Sequence, residues 1–281
     1  MAKVYDALRR AEEERLRMLG NSARPAPLGA EPVGPAAEKA DRKSIWKRAA
    51  KSAAAGPVPD GSAEVNKRRI ALLQPDSHVA EQFRALRGRI DAISSQRPLC
   101  TISVTSAFPG EGKTTCSVNL GIVSALSVAT RVLLIDCDLR RPKVHRSLGL
   151  EPEVGLAELL TGRTTLDEAI LSVDGANLDV LPVRSRPSNP SELLGSPEMT
   201  KLVEEVSTRY DRIILDTPAA LGLPDAKVVS EFCDGMVLVV RADATSQSDI
   251  QAVLEILDRR RLLGMLINSV DVPDSRYGYA R

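Results

Sequence analysis

A strand, a glycine-containing loop and a helix follow one another in CTISVTSAFPGEGKTTCSVNLGIVSAL, residues 100–126. This order constrains the fold most, because the loop has the shape of a phosphate cradle in which backbone N–H groups and the helix N-terminus face an anion. An ordinary strand-to-helix turn does not explain Lys113 at a helix start, where the helix dipole repels cations. The segment therefore predicts nucleotide binding by Gly110, Glu111, Gly112, Lys113, Thr114 and Thr115.

Two further motifs end apolar strands in aspartate, in RVLLIDCDLRRP and YDRIILDTPAALGLPDA. Open parallel sheets bind ligands at the carboxyl ends of their strands. Asp136 and Asp138 emerge on one side if the extended geometry persists, and Asp216 follows the other strand where nucleotide-hydrolysing folds hold magnesium. Taken singly, each aspartate is equally well interpreted as a helix cap or turn. Together with the lysine loop they favour an ATP site, with Mg²⁺ bound by Thr114, Asp138 and Asp216.

From Leu99 onward, apolar runs alternate with amphipathic segments, which is typical of a parallel sheet covered by helices. We therefore predict an α/β fold, a P-loop NTPase-like parallel sheet flanked by helices, over residues 65–271 and a tail at 272–281. The 43% apolar content is enough for its core. Runs such as GMVLVV are far shorter than the roughly 20 residues of a membrane-spanning helix, which predicts a cytoplasmic protein.

The N-terminal arm differs from the rest of the chain in charge and composition. Residues 1–69 carry 15 basic and 9 acidic residues, whereas the remainder carries 23 and 28. Residues 1–19 predict an amphipathic helix, and the Pro- and Ala-rich basic linker at 20–64 predicts disorder. Trp46 and Ile45 lie among basic residues in RKSIWKRAAK, a composition that suits contact with an anionic membrane surface. A solvated basic linker is the plainer alternative.

The segment DSRYGYAR holds Tyr277 and Tyr279, two of the four tyrosines in the chain. It contains glycine and has no apolar periodicity, so neither ring is expected in a core. A role other than packing is therefore predicted for both.

Three motifs in this order, SAFPGEGKTT, LLIDCDLRRP and IILDTPAA, resemble those of the bacterial tyrosine kinase family, the autokinases that accompany capsule and exopolysaccharide synthesis. The resemblance runs from about Ile70 to Arg281 and implies a protein-tyrosine autokinase that uses ATP and Mg²⁺. It implies that a neighbouring subunit phosphorylates Tyr277 and Tyr279. It also gives catalytic roles to Lys113, Asp136, Asp138 and Asp216, with Asp136 as the base that takes the tyrosine proton.

The segment SHVAEQFRALRGRIDAIS predicts a helix with one apolar stripe, formed by Val79, Phe83, Leu86 and Ile90. Three charged residues fall away from that stripe: Glu81, Arg84 and Arg87. One glutamate does not satisfy two arginines, so an acidic surface of another chain is expected to help. EQFRALR resembles the family's ring-forming motif, which implies a homo-oligomer; a solvated charged face is the alternative.

The resemblance also implies a separate membrane protein, a polysaccharide co-polymerase that activates the kinase and recruits it to the inner face of the plasma membrane. No nucleic-acid partner is expected. Two other functions stay open, a non-kinase localisation ATPase and a structural adaptor whose ring ATP stabilises. Partition and septum-positioning ATPases carry a second lysine where this chain has Phe108, which counts against the first. The scattered cysteines disfavour an iron–sulfur reductase.

Overall fold

A computed structural model describes residues 69–127 and 130–270. Several predictions lie outside the described residues: the helix at 1–19, the linker at 20–64 with Trp46, and the tail with Tyr277 and Tyr279. Among the described helices, none combines the length and hydropathy needed to cross a bilayer.

Seven strands form one sheet in the order β3-β4-β2-β5-β1-β6-β7. All neighbouring strands run parallel except β3 and β4, which are antiparallel. The central strands are buried on both faces, which is why they read as continuous apolar runs. The strands are β1 Thr101–Ser106, β2 Val132–Asp136, β3 Leu171–Ser172, β4 Leu178–Leu181, β5 Arg212–Asp216, β6 Gly235–Arg241 and β7 Leu262–Asn268.

Helices connect the strands and cover the sheet. They are α1 Ile70–Leu73, α2 His78–Ser94, α3 Lys113–Ala125, α4 Val144–Leu148, α5 Leu156–Leu160, α6 Leu166–Ala169, α7 Pro190–Leu194, α8 Pro197–Arg209, α9 Asp225–Ser230 and α10 Gln247–Ile256, with a 3₁₀ turn at Arg259–Arg261. One core cluster joins α2 and α3 to the sheet, and a second joins α5 and α8 to it. The predicted α/β fold is therefore confirmed.

The order of the strands brings the three motifs together. β1, β5 and β2 are consecutive neighbours, so the segments after their carboxyl ends lie at one edge of the sheet. Asp136 ends β2 and is paired in register with Asp216, which ends β5. Asp136 and Asp138 were expected on one side if the extended geometry persisted, and that condition is not met. β2 stops at Asp136, and the Asp138 amide donates a 3.1 Å hydrogen bond to the Asp136 carboxylate.

The apolar face of α2 differs from the predicted stripe at one position. Phe83 and Ile90 are buried and Leu86 packs against the same cluster, but Val79 is 43% exposed and Ala80 takes the core position. Ser77 caps this helix by accepting the amide hydrogen of Ala80.

Both arginines of α2 have hydrogen-bond acceptors within the chain. The Arg87 guanidinium donates a 2.6 Å hydrogen bond to the carbonyl of Val123 at the end of α3, so its partner is within the chain. Arg84 donates to both Glu81 and the carbonyl of Pro75. Among the residues that the structure describes, Nε of Arg87 is buried without a hydrogen-bond partner, and the nearest carboxylate oxygen, Oδ2 of Asp91, lies 3.9 Å away.

Candidate active site

The loop between β1 and α3 is held open by glycine backbone conformations. Gly110 and Gly112 have φ values of 90° and 99°, which L-residues with a side chain rarely adopt. Gly112 precedes the first residue of α3, so the free amides at the helix N-terminus border the loop. A Cβ atom on Gly112 would collide with Nδ2 of Asn268, which donates a 2.9 Å hydrogen bond to the carbonyl of Glu111. The end of β7 therefore braces this loop.

The Glu111 side chain is part of the same brace. It is buried, it accepts the Phe108 amide hydrogen at 2.8 Å, and it also accepts the hydroxyl of Thr245 from the segment after β6. Both oxygens of its carboxylate are thus occupied by donors from the protein. Phe108, beside it, is 42% exposed at the rim of the loop.

Lys113 joins the first motif to the second. It is buried, and its Nζ lies 3.1 Å from Oδ2 of Asp138. The Arg141 amide donates to the other oxygen, Oδ1, at 3.0 Å, which fixes the carboxylate. Burial alone would lower the pKa of Lys113, but the negative charges of Asp216 and Asp138 outweigh it and raise that pKa. The lysine is therefore firmly charged.

Thr114 joins the first motif to the third. Its hydroxyl donates to Oδ2 of Asp216 at 2.8 Å, and the Ser117 hydroxyl donates to Oδ1 at 2.9 Å. Ser117 was not predicted as a site residue, although it lies three residues after Thr114 and hence on the same face of α3. Asp216 is fully buried, and both of its oxygens are engaged from one helix.

Whereas hydroxyl groups hold Asp216, Asp136 is held by backbone amides. It is fully buried and accepts three backbone amide hydrogens at 3.1 Å, those of Asp138, Lys143 and Val144. Burial raises its pKa well above the usual range, and the neighbouring Asp216 charge adds to that effect. Burial likewise raises the pKa of Asp216, against the opposing influence of Lys113 and the two hydroxyls. Negative charge in this cluster is thus only partly balanced.

The donor set fits a nucleotide with magnesium. Three buried carboxylates face one buried lysine, and the raised pKa values of two of them show that a further positive charge would be favourable. Oxygen donors suit Mg²⁺, which usually takes one or two carboxylates together with phosphate oxygens and water. Within residues 69–127 and 130–270, no group of His, Cys, Asp and Glu is arranged to hold a metal ion alone. The predicted ligands Thr114, Asp138 and Asp216 are all present at this edge.

A second polar network borders the site. Asp225, fully buried at the start of α9, accepts a 2.7 Å hydrogen bond from Arg140 and another from Ser191. Arg140 also donates to Ser191 at 2.9 Å. The network ties the segment after β2 to α7 and α9, and the sequence alone did not indicate it.

Comparisons with known proteins agree with this geometry. A family model described as an AAA domain matches residues 100–262. The tyrosine-protein kinase YwqD of Bacillus subtilis is 38% identical over 213 residues, which cover 75% of this chain and 90% of YwqD. The crystal structure of the chimerical protein CapA2B2 is similar at 30% identity with a TM-score of 0.69, covering 73% of this chain and 91% of that one. The kinase domain of the Escherichia coli tyrosine kinase ETK gives a TM-score of 0.67 at 32% identity, covering 75% and 84%.

The fold and the assembled motifs thus define a P-loop nucleotide-binding protein. Within that class, the chain belongs to the bacterial tyrosine-protein kinase family, as the resemblance implied, and it is a protein-tyrosine kinase that binds ATP. Several other curated tyrosine-protein kinases are longer, and the chain spans 31% of one and 28% of another.

Proposed function

We propose that this kinase uses ATP and Mg²⁺ to phosphorylate Tyr277 and Tyr279 on a neighbouring copy of the same chain. The observation that carries the proposal is the pair of contacts that unites the three motifs, from Lys113 to Asp138 and from Thr114 to Asp216. The acceptors follow from the resemblance and from the two tyrosines in the segment after β7.

Phosphoryl transfer needs mainly positioning and charge stabilisation, because its transition state is loose. Bound magnesium would supply positive charge to the transferring group. Lys113 and the loop amides would hold the β- and γ-phosphates, while Thr114, Asp138 and Asp216 would orient the metal. Ser117 keeps the Asp216 carboxylate in one orientation.

Asp136 is proposed as the general base. Oδ2 accepts two amide hydrogens but Oδ1 accepts only one, so Oδ1 retains a lone pair that can take the tyrosine proton. Acceptor peptides with fluorinated tyrosine, whose phenol is more acidic, separate the roles. If Asp136 is the base, such peptides restore activity to Asp136→Asn. If it positions the loop, natural and fluorinated peptides lose activity equally.

Transfer between copies requires an assembly, for which we propose the surface of α2 that carries Glu81, Arg84 and Arg87. The support is the resemblance to the ring-forming motif and the exposure of Glu81, whose side chain is 61% exposed. Sedimentation of wild type and Glu81→Lys tests the proposal, and an unchanged assembly state would contradict it.

We also propose that the kinase regulates capsule or exopolysaccharide synthesis together with a membrane activator. The support is the family resemblance. The basic arm, residues 1–64, is proposed to help recruit the chain to the inner face of the plasma membrane. Deletion of residues 1–64 tests this, since unchanged membrane association in cells would contradict it.

Mass spectrometry of protein incubated with ATP and Mg²⁺ tests the central proposal. Phosphate is expected on Tyr277 or Tyr279, absent in Lys113→Met and absent from these positions in Tyr277→Phe/Tyr279→Phe. Candidate activator segments are added in parallel. If an activator stimulates ATP consumption but Tyr277 and Tyr279 stay unphosphorylated, the tail is ruled out as the substrate.

A further inference from the structure

Five exposed basic side chains lie beyond the nucleotide loop, at the carboxyl ends of β2 and β4. We call this group the basic rim: Arg141, Lys143, Arg146, Arg184 and Arg186. The first three follow β2 and the last two follow β4. Since β2 and β4 pair in parallel, the segments that leave them lie side by side.

Contacts between these two segments show how close they are. The Leu156 amide donates a 2.7 Å hydrogen bond to the carbonyl of Pro182, and a Cβ atom on Gly155 would lie 2.9 Å from the amide nitrogen of Arg184. Burial lowers the pKa of His145 in α4, and the charges of Arg146 and Arg184 lower it further. The charges from the two segments thus act on the same region.

The basic rim carries positive charge that its own surroundings do not neutralise. In the part of the chain that the structure describes, no carboxylate lies within ion-pair distance of any of its five side chains. Arg140 differs from them, because Asp225 pairs with it. Glu158 accepts hydrogen bonds from the Gly155 amide and from Ser185, which are neutral donors and leave its charge in place. Glu151 and Glu153 are exposed on the loop before α5, so the neighbouring segments supply three carboxylates against five cations.

The rim extends outward from the edge of the nucleotide site. Its inner end is Arg141, whose amide donates a 3.0 Å hydrogen bond to Asp138, the partner of Lys113. Arg184 and Arg186 follow β4, which is three strands from β1 and hence about 14 Å away at a spacing of about 4.8 Å between strands. The rim therefore lies beside the site, within reach of a segment that delivers a tyrosine to the γ-phosphate.

The chain itself contains a segment, residues 271–281, that gains negative charge on phosphorylation and then complements the basic rim. Residues 271–281 contain two aspartates and two arginines, which balance. Each phosphate on a tyrosine adds about −1.5 to −2 at neutral pH and three strong acceptor oxygens. From Asn268 to Tyr277 the chain extends up to about 31 Å. That exceeds the five strand spacings, about 24 Å, between β7 and β4.

We infer that the basic rim binds the tail, residues 271–281, after phosphorylation of its tyrosines. The inference rests on the proposed function, because it takes the phosphorylated tail as the product of this site. The rim then distinguishes product from substrate, since the unmodified tail has no net side-chain charge for it to attract. A singly phosphorylated tail is held beside the site, and its release is slowed most at low salt.

Fluorescence anisotropy with synthetic peptides of residues 270–281 tests the inference on the full chain. One peptide is unmodified and one carries phosphate on Tyr277 and Tyr279, with ADP and Mg²⁺ present so that the nucleotide loop is filled. The phosphorylated peptide is expected to bind at least about tenfold more tightly. Arg184→Gln/Arg186→Gln should remove most of that preference. Arg259→Gln/Arg260→Gln, which removes two exposed arginines just before β7, should keep it.

Equal binding of the two peptides would overturn the inference, as would equal losses in the two double variants. Binding to phosphatidylglycerol vesicles tests the alternative that the rim contacts a membrane. If they bind through Arg184 and Arg186 while the peptides do not, the rim is a membrane surface. The peptides are synthetic, so the binding test does not depend on the kinase activity of the chain. If the chain binds the phosphopeptide tightly but does not phosphorylate its own tail, the proposed function is contradicted and the inference about the rim is not.

Discussion

The hydroxyl of Thr114, at the start of α3, donates a 2.8 Å hydrogen bond to Oδ2 of Asp216, at the end of β5. The two residues are 102 positions apart in the chain, and the pairing of β5 beside β1 brings them together. Asp216 is fully buried there, and burial raises its pKa and disfavours its charged form. The metal-binding role proposed for Asp216 needs that charged form, so the proposed role and the stability of the nucleotide-free protein are opposed at this residue.

Asp216→Asn should abolish kinase activity without destabilising the nucleotide-free protein. The amide is close in shape to the carboxylate, and the hydroxyls of Thr114 and Ser117 can donate to its oxygen or accept from its nitrogen. We expect at least a 100-fold loss of tyrosine phosphorylation and a melting temperature equal to or above that of wild type at pH 8. A clearly lower melting temperature would contradict this account.

The same variant predicts a pH dependence of stability. Because the pKa of Asp216 is raised in the folded chain, the folded state binds more protons than the unfolded state above the unfolded pKa, about 4. Its contribution to stability is thus lost as pH rises from that value through the folded pKa. Thermal unfolding between pH 5 and pH 8 should show Asp216→Asn gaining on wild type as pH increases. If the melting temperatures of the two proteins change in parallel with pH, titration of Asp216 is not the cause of the pH dependence.

Lys113→Met should abolish kinase activity and should lower the free energy of unfolding of the nucleotide-free protein. The lysine is paired with Asp138 at 3.1 Å and stabilises the buried negative cluster, so its removal leaves carboxylates unpaired. Removing one partner of a buried pair costs about 3 kcal/mol, and the loss should shrink at lower pH as the carboxylates protonate. Denaturant unfolding measures it, with exposed Lys201→Met as the control that should stay within about 0.5 kcal/mol of wild type.

The sequence predicted the sheet and the nucleotide site because their signals are local. Most strands are contiguous, mainly apolar runs, and the phosphate-binding motif is a contiguous strand, loop and helix start. The sequence did not indicate Asn268 or Thr245, which reach Glu111 across 157 and 134 positions through the placement of β6 and β7. It also did not indicate the hydrogen bond from Arg87 to Val123, because a backbone carbonyl of α3 leaves no mark in the side-chain pattern.

Gly112→Ala should destabilise the nucleotide-free protein more than Gly110→Ala. Both residues have positive φ, so both variants bear a backbone strain of about 1 kcal/mol. At Gly112 the new methyl group also collides with the Asn268 side chain, whereas a Cβ at Gly110 meets nothing within 4 Å. Melting temperatures separate the two costs. Adding Asn268→Ala to Gly112→Ala should recover the stability lost to the steric collision. Equal effects of Gly112→Ala and Gly110→Ala would show that Asn268 does not hold the loop in place.

Arg87→Gln should lower the stability of the isolated chain, whereas Glu81→Gln should not. Arg87 donates to the Val123 carbonyl from a partly buried position, so its loss leaves an acceptor at the end of α3 without that donor. The Glu81 side chain is 61% exposed and contacts Arg84 at the surface, where ion pairs contribute little. We expect about 1 kcal/mol for Arg87→Gln by denaturant unfolding at a concentration where the protein is monomeric. If Arg87→Gln alters assembly while leaving monomer stability unchanged, its role is between chains and the contact with Val123 contributes nothing.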